Sequence, residues 1–198
     1  MKVLVLTSNL APEAVSKSRQ LSNRFVELYK ENHPEAEFIH VDVNTLKSAQ
    51  TTLNSTTMPE FWANVESDKL IDQLKSVDKV IVSTPMINFK PAPALLGYLD
   101  AINVANKTFT YKYSLDFKAK GLLDHLDVMI IATQGAPLNT YPWGNVAGYI
   151  QGVFEFLGAK RTFNLTVDAT NIPTMNGIDV AEVVKKYEDR LAALAKTF

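Results

Sequence analysis

Apolar residues in this chain fall into short contiguous runs alternating with stretches where they recur every three or four positions. Residues 3–6 are an apolar, β-branched-rich run followed by turn-forming residues, which predicts a strand buried on both faces. Over residues 18–32, Leu21, Phe25 and Leu28 recur at spacings of four and three with charges between them, predicting an amphipathic helix. Residues 38–43 and 78–83 predict the second and third strands, and between them Leu70, Ile71 and Leu74 share one helical face of residues 66–75. Residues 91–103 predict a helix buried through Leu95, Leu96, Leu99 and Ile102, and residues 127–132 a fourth strand. A helix over 145–157 should stop at Gly158, whose residue type suits the left-handed position after a helix end. Residues 163–167 predict the fifth strand, and Val180, Val183, Val184, Tyr187, Leu191 and Leu194 a final amphipathic helix.

Five strands alternating with helices predict a parallel sheet covered on both faces. This element count fits a flavodoxin-like α/β three-layer sandwich, with a five-stranded parallel sheet in the order 2-1-3-4-5, better than a six-strand dinucleotide fold. Two stretches stand outside the alternation. Residues 44–62 are polar and predict a long loop, while Phe109, Tyr111, Tyr113 and Phe117 alternate in a way that predicts a short hairpin. No internal repeat or domain boundary is visible, so residues 1–198 are expected to form one domain.

Composition narrows the chemistry. A net charge of −1 gives no basic footprint for nucleic acid or an anionic membrane. The absence of cysteine removes disulfides, thiolate nucleophiles, Fe–S clusters and Cys-ligated zinc. No apolar stretch approaches the roughly 20 residues a membrane helix needs, and the first residues do not form a signal peptide, so a cytoplasmic setting is expected. The three histidines, His33, His40 and His125, form no metal-binding motif, and no metal is expected.

Ligands of open parallel sheets bind beyond the carboxyl ends of the strands. After the first strand, residues 7–18 lead into a helix start suited to a phosphate, with Ser16 and Ser18 as hydroxyl donors and Lys17 or Arg19 as cations; the alternative is that Ser18 only caps the helix. No dinucleotide or Walker glycine motif is present. After the third strand, a Pro-bounded loop of residues 84–91 offers an apolar residue, the Asn88 amide and Phe89 to a flat heterocycle, or serves as a simple turn. After the fourth strand, Gly135 in residues 133–137 permits close backbone approach to a ligand.

Taken together the three loops resemble those of the FMN-dependent NADH:quinone oxidoreductases and azoreductases, a family also labelled acyl-carrier-protein phosphodiesterase. The resemblance runs along nearly the whole chain. It rests on Ser16-Lys17-Ser18, on Pro85-Met86-Ile87-Asn88-Phe89 with Ile where the family usually has Tyr, and on a degenerate Thr133-Gln134-Gly135-Ala136 where the family has Ser-Arg-Gly-Gly. Thr108-Phe109-Thr110-Tyr111 and Gly121-Leu122 also match. The resemblance implies tightly bound FMN, with Ser16, Lys17 and Ser18 on the phosphate, Asn9 nearby, and Pro85, Met86, Ile87, Asn88, Phe89, Thr133, Gln134, Gly135 and Ala136 around the isoalloxazine. It further implies Tyr111 and Phe156 as aromatic walls for the acceptor, and a homodimer with the sites at its interface.

The implied activity is ping-pong transfer of two electrons from NADH or NADPH through the flavin to a small quinone or azo acceptor, with no side-chain nucleophile and no metal. Gln134 and Ile87 remove a cation and an aromatic ring from the family pattern, which bears on activity and donor preference. Two alternatives within the fold are a non-catalytic electron carrier, against which the near-neutral charge argues, and a redox sensor. Phosphodiester hydrolysis finds no paired carboxylates, metal ligands or activated nucleophile in the three loops.

Overall fold

The computed structural model describes residues 1–112, 118–174 and 176–198. Tyr113 and Phe117 of the expected hairpin lie outside these residues. The elements in chain order are β1 (Lys2–Thr7), α1 (Lys17–Asn32), β2 (Glu37–Asp42), α2 (Lys47–Gln50), α3 (Phe61–Asn64), α4 (Ser67–Lys75), β3 (Lys79–Ile87), β4 (Lys90–Pro91) and α5 (Pro93–Ile102). They continue with β5 (Phe109–Thr110), β6 (Lys120–Gly121), β7 (Asp127–Thr133), α6 (Val146–Phe156), β8 (Arg161–Val167), α7 (Val180–Lys186) and α8 (Glu188–Thr197).

The main sheet runs β2-β1-β3-β7-β8 with every pairing parallel. Counted along the chain, these five strands have the expected order 2-1-3-4-5. One strand was not foreseen: β4 folds back antiparallel onto the end of β3 and makes the sheet six-stranded. The twofold alternation of strand side chains splits the core in two. Leu4, Leu6, Val80, Val82, Val128 and Ile130 meet α4, α5 and α6 on one face. Val3, Val5, Ile81, Met129, Ile131 and Leu165 meet α1, α7 and α8 on the other. Each such fully buried aliphatic side chain contributes about 1.5–3 kcal/mol relative to exposure.

Four local expectations are corrected. The stretch 44–62 is not a plain loop: it carries α2, α3 and a 3-10 turn at Val43–Thr45. Each is so short that it buries one or two residues, too few to produce a period in the sequence. The third strand continues to Ile87 instead of ending at Ser83, because β7 goes on pairing with it as far as Pro85↔Thr133. The final helix is two helices separated at Tyr187. Ser16, not Ser18, caps α1.

The hairpin excursion is present as β5 paired antiparallel with β6. It docks through two glycines: a Cβ on Gly121 would lie 2.1 Å from the backbone nitrogen of Gly158. Gly158, at φ 102°, also provides the left-handed stop after α6. At the amino ends of β3, β7 and β8 a charge cluster joins the buried Lys79 Nζ to the buried Asp127 Oδ2 (2.9 Å) and the exposed Arg161 Nη2 to the same oxygen (2.6 Å). Lys79 also donates to the Phe198 carbonyl.

Candidate functional site

The first turn of α1 lies at the carboxyl end of β1. Ser16 caps the helix by accepting from the Arg19 N–H at 3.4 Å, and the Ser16 and Ser18 hydroxyl oxygens are themselves 3.4 Å apart. Both residues are buried. The turn is anchored to β3, since Ser83 Oγ donates to the Ser18 carbonyl at 2.9 Å and Ser8 Oγ donates to the Ser83 carbonyl at 3.0 Å. Lys17 Nζ reaches the Thr170 carbonyl at 3.4 Å, and the Nε of Arg19 is buried with no hydrogen-bond partner among the described residues. Two paired hydroxyls, a free helix N-terminus and a neighbouring ammonium group form a cradle chemically suited to a phosphate.

Residues expected as a loop after the third strand form a β-hairpin. Ile87 pairs with Lys90 across the two-residue turn Asn88-Phe89, with φ values of 48° and 66°. Two consecutive positive φ angles are the requirement of a type I′ turn, which suits Asn but is costly for Phe. The strained Phe89 ring packs on Tyr141 and Trp143, with centroids 5.1 and 5.8 Å away. Comparing Phe89→Gly with Phe89→Ala separates backbone strain from the ring, since both lose the ring and only Gly relieves the backbone. The Gly variant should be more stable than the Ala variant by about 1 kcal/mol in urea unfolding; equal midpoints would contradict the strain.

The loop after β7 is tied to the loop after β8. The Gln134 N–H donates to the Val167 carbonyl at 2.9 Å, and the Gln134 carbonyl accepts from Thr170 N and Oγ1, both at 3.1 Å. The Gln134 side chain is buried and turned onto its own loop, with Nε2 donating to the Ala136 carbonyl at 3.0 Å. Gly135 packs against the Asn171 side chain, which would have to move to admit a Cβ that otherwise lies 2.4 Å from its Nδ2.

These loops enclose two cavities that share Asn171. One, of about 280 Å³, is lined by Ser16, Lys17, Ser18, Pro85, Ile87 and Thr133 together with Thr170 and Asn171. The other, of about 490 Å³, is lined by Met86, Asn88, Phe89, Gly135 and Ala136 together with Tyr141 and Asn171. Eleven of the thirteen residues expected around a cofactor therefore converge. The two that do not line either cavity are Gln134 and Asn9, whose Nδ2 donates to the Ala11 carbonyl at 2.8 Å within its own loop.

Sequence reasoning passed over the loop after β8, although Asp168-Ala169-Thr170-Asn171 is a turn-type cluster at the carboxyl end of a strand, where a ligand loop is expected. Tyr111 and Phe156 are not brought to these cavities. α6 starts beside the hairpin and runs back along the sheet, so Phe156 lies beside Phe109 (4.8 Å between centroids) near the start of β8. Tyr111 meets the same Phe109 edge-to-face at 5.8 Å.

The model of the Flavodoxin-like fold family matches residues 1–191. An FMN-dependent NADH:quinone oxidoreductase of Malacoplasma penetrans is 44% identical over 197 residues, covering 100% of this chain and 93% of the relative. The chain belongs to this family. A second FMN-dependent NADH:quinone oxidoreductase, from Mycoplasmopsis pulmonis, is also 44% identical, over 100% of this chain and 99% of its own length. An azoreductase from Bacillus anthracis shares the fold at a TM-score of 0.83 and 21% identity, covering 100% and 99% of the two chains. In this chain the buried Gln134 amide is spent on its own loop.

Proposed function

We propose that residues 1–198 act as one FMN-binding unit that uses NADH or NADPH to reduce quinones or azo compounds by two electrons in a ping-pong cycle. The observation that carries this reading is the convergence of the Ser16–Ser18 turn, the β3–β4 hairpin and the β7 loop on two adjoining cavities. The residues fit FMN: a hydroxyl-rich helix N-terminus suits its phosphate, and an adjoining cleft walled by Met86, Phe89 and the Gly135-Ala136 backbone suits a flat ring with a polar edge.

FMN, when bound, supplies hydride acceptance and donation, so no side chain need act as nucleophile or metal ligand. The chain's part is to hold and orient. Ser16 and Ser18 donate to the phosphate and Lys17 balances its charge. Asn88, held in a turn by the β3–β4 pairing, presents its amide to the ring's polar edge. The Gly135-Ala136 backbone can approach the ring closely because Gly135 carries no side chain. Phe89 and Tyr141 exclude water from the cleft.

The family expectation that Tyr111 and Phe156 wall the acceptor requires a second copy of the chain, because one chain keeps them at the opposite end of the sheet. An apolar stripe on α6, formed by exposed Tyr149, Gly152 and Phe156, supports such a dimer. A Cβ on Gly152 would meet nothing within 4 Å, leaving room for a close helix-on-helix contact. An antiparallel α6 pair about Gly152 would carry Phe156 of the partner subunit toward the lip of the cleft. A cytoplasmic setting is part of the proposal.

The test is to purify the protein, add FMN, and record the visible spectrum anaerobically before and after NADH. The expected result is a bound flavin band that bleaches and returns on adding a quinone. Flavin that binds but never bleaches would make the protein a carrier or sensor, and no flavin binding would overturn the site.

A further inference from the structure

A third cavity lies on the other side of the Phe89 ring from the flavin-type cleft. It measures about 180 Å³ and is lined by Phe89, Pro91, Leu96, Trp143 and Tyr149, with Lys90 and Asn145 at its polar rim. Its walls are mostly aromatic and aliphatic, and its size suits one planar ring rather than a dinucleotide. Phe89 lines this cavity and the 490 Å³ cleft alike, so one strained aromatic side chain divides the two.

Three features make it a built site. Phe89, Tyr141 and Trp143 form a mutually contacting triad, with the third pair of centroids, Tyr141 to Trp143, 5.5 Å apart. Trp143 is 68% exposed, so its indole face is open to a stacking partner instead of being spent in the core. Lys90 is exposed on β4 with no ion pair or hydrogen bond of its ammonium group among the described residues, which leaves a cation free at the rim of an apolar pocket.

We propose that this cavity is a second aryl subsite, which takes the distal, anionically substituted ring of a two-ring acceptor whose reducible group reaches the flavin held in the cleft on the other side of Phe89. The inference rests on the proposed oxidoreductase reading and deepens it, because it separates two acceptor classes that share the chemistry. A monocyclic quinone reaches the flavin without using this cavity. An azo compound carrying a carboxylate on its second ring spans Phe89, stacks on Trp143 and pairs with Lys90.

The test compares wild type, Trp143→Ala and Lys90→Gln, all FMN-loaded, with 1,4-benzoquinone and with a 2-carboxyphenyl azo dye. The Kd of the dye is read by equilibrium dialysis without NADH, and KM for both acceptors is read with NADH. Trp143→Ala should raise the dye's Kd and KM about tenfold, the scale of one lost aromatic stack. Lys90→Gln should raise them about threefold, and more at low ionic strength. KM for benzoquinone and the NADH bleaching of the flavin should stay within twofold in both variants. Equal changes for both acceptors, or an unchanged dye Kd in both variants, would overturn the subsite. Failure of the oxidoreductase reading appears separately, as wild-type protein that NADH does not bleach, and the dialysis measurement still decides the subsite in that case.

Discussion

Replacing Ser16 and Ser18 together by Ala should weaken FMN binding by roughly two to four orders of magnitude, because each hydroxyl donated to a charged phosphate is worth about 1.5–3 kcal/mol. Ser16 has a second task as the cap of α1, so part of any loss could come from fraying of the helix. Removing a capping serine costs about 1 kcal/mol of stability, which urea unfolding of the flavin-free protein reads directly. A Ser16→Asp variant separates the two tasks. Aspartate caps as well as serine and complements the helix dipole, so stability should hold. The same carboxylate would face the phosphate with like charge, so FMN affinity should fall at least as far as in the double Ala variant. Titration of FMN onto the three proteins checks this. Undiminished affinity in Ser16→Asp would mean that the phosphate binds elsewhere.

Asp127→Asn should lower the unfolding free energy by about 3–5 kcal/mol, the cost of breaking a buried pair from one side. Asp127 and Lys79 are both buried, and Lys79 lies between aromatic rings, 4.4 Å from the Phe198 centroid and 5.9 Å from that of Tyr29. An Asn keeps the shape of the site and one acceptor oxygen but removes the negative charge, leaving the buried Lys79 ammonium without its counter-ion. The stacked cation contacts offset part of the loss, which places the expectation at the lower end of the range.

The same pair makes a pH prediction. Burial disfavours the Asp127 carboxylate, but hydrogen bonds from Arg161 and Lys79 outweigh it and hold the group below its ordinary value. A carboxyl lowered on folding stabilises in full above its unfolded value of about 4, and the contribution fades as pH falls through the lower folded value. The gap between the urea midpoints of wild type and Asp127→Asn, measured from pH 7 down to pH 3, should therefore begin to narrow as pH falls below about 4. A gap that stays constant over this range would show that the carboxylate's charge is not what stabilises the fold.

The two core faces show how directly the pattern dictates the fold. Val3 and Val5 face one helix layer and Leu4 the other, because a strand's side chains alternate while both faces of a parallel sheet are covered. An unbroken apolar run such as residues 128–132 is satisfied in the middle of such a sheet. The long helices were legible for the same reason, with α1 and α6 close to their expected bounds and α6 ended by Gly158. The short α2 and α3 were not legible, since four residues span little more than one turn and carry no period.

Residue types and spacing pointed to the sheet order and to the three loops that meet at its carboxyl ends, and the resemblance of those loops to known ones pointed to the family. The tertiary structure alone decided which residues those loops bring together. It placed Thr170 and Asn171 in the site, because strand pairing sets β8 beside β7 whatever their distance along the chain. It withdrew the Gln134 and Asn9 side chains into their own loops, since a buried or half-buried amide takes the nearest backbone carbonyl it can reach. It also carried Tyr111 and Phe156 to the far end of the sheet, because a helix that leaves the carboxyl end of one strand must return to the amino end of the next.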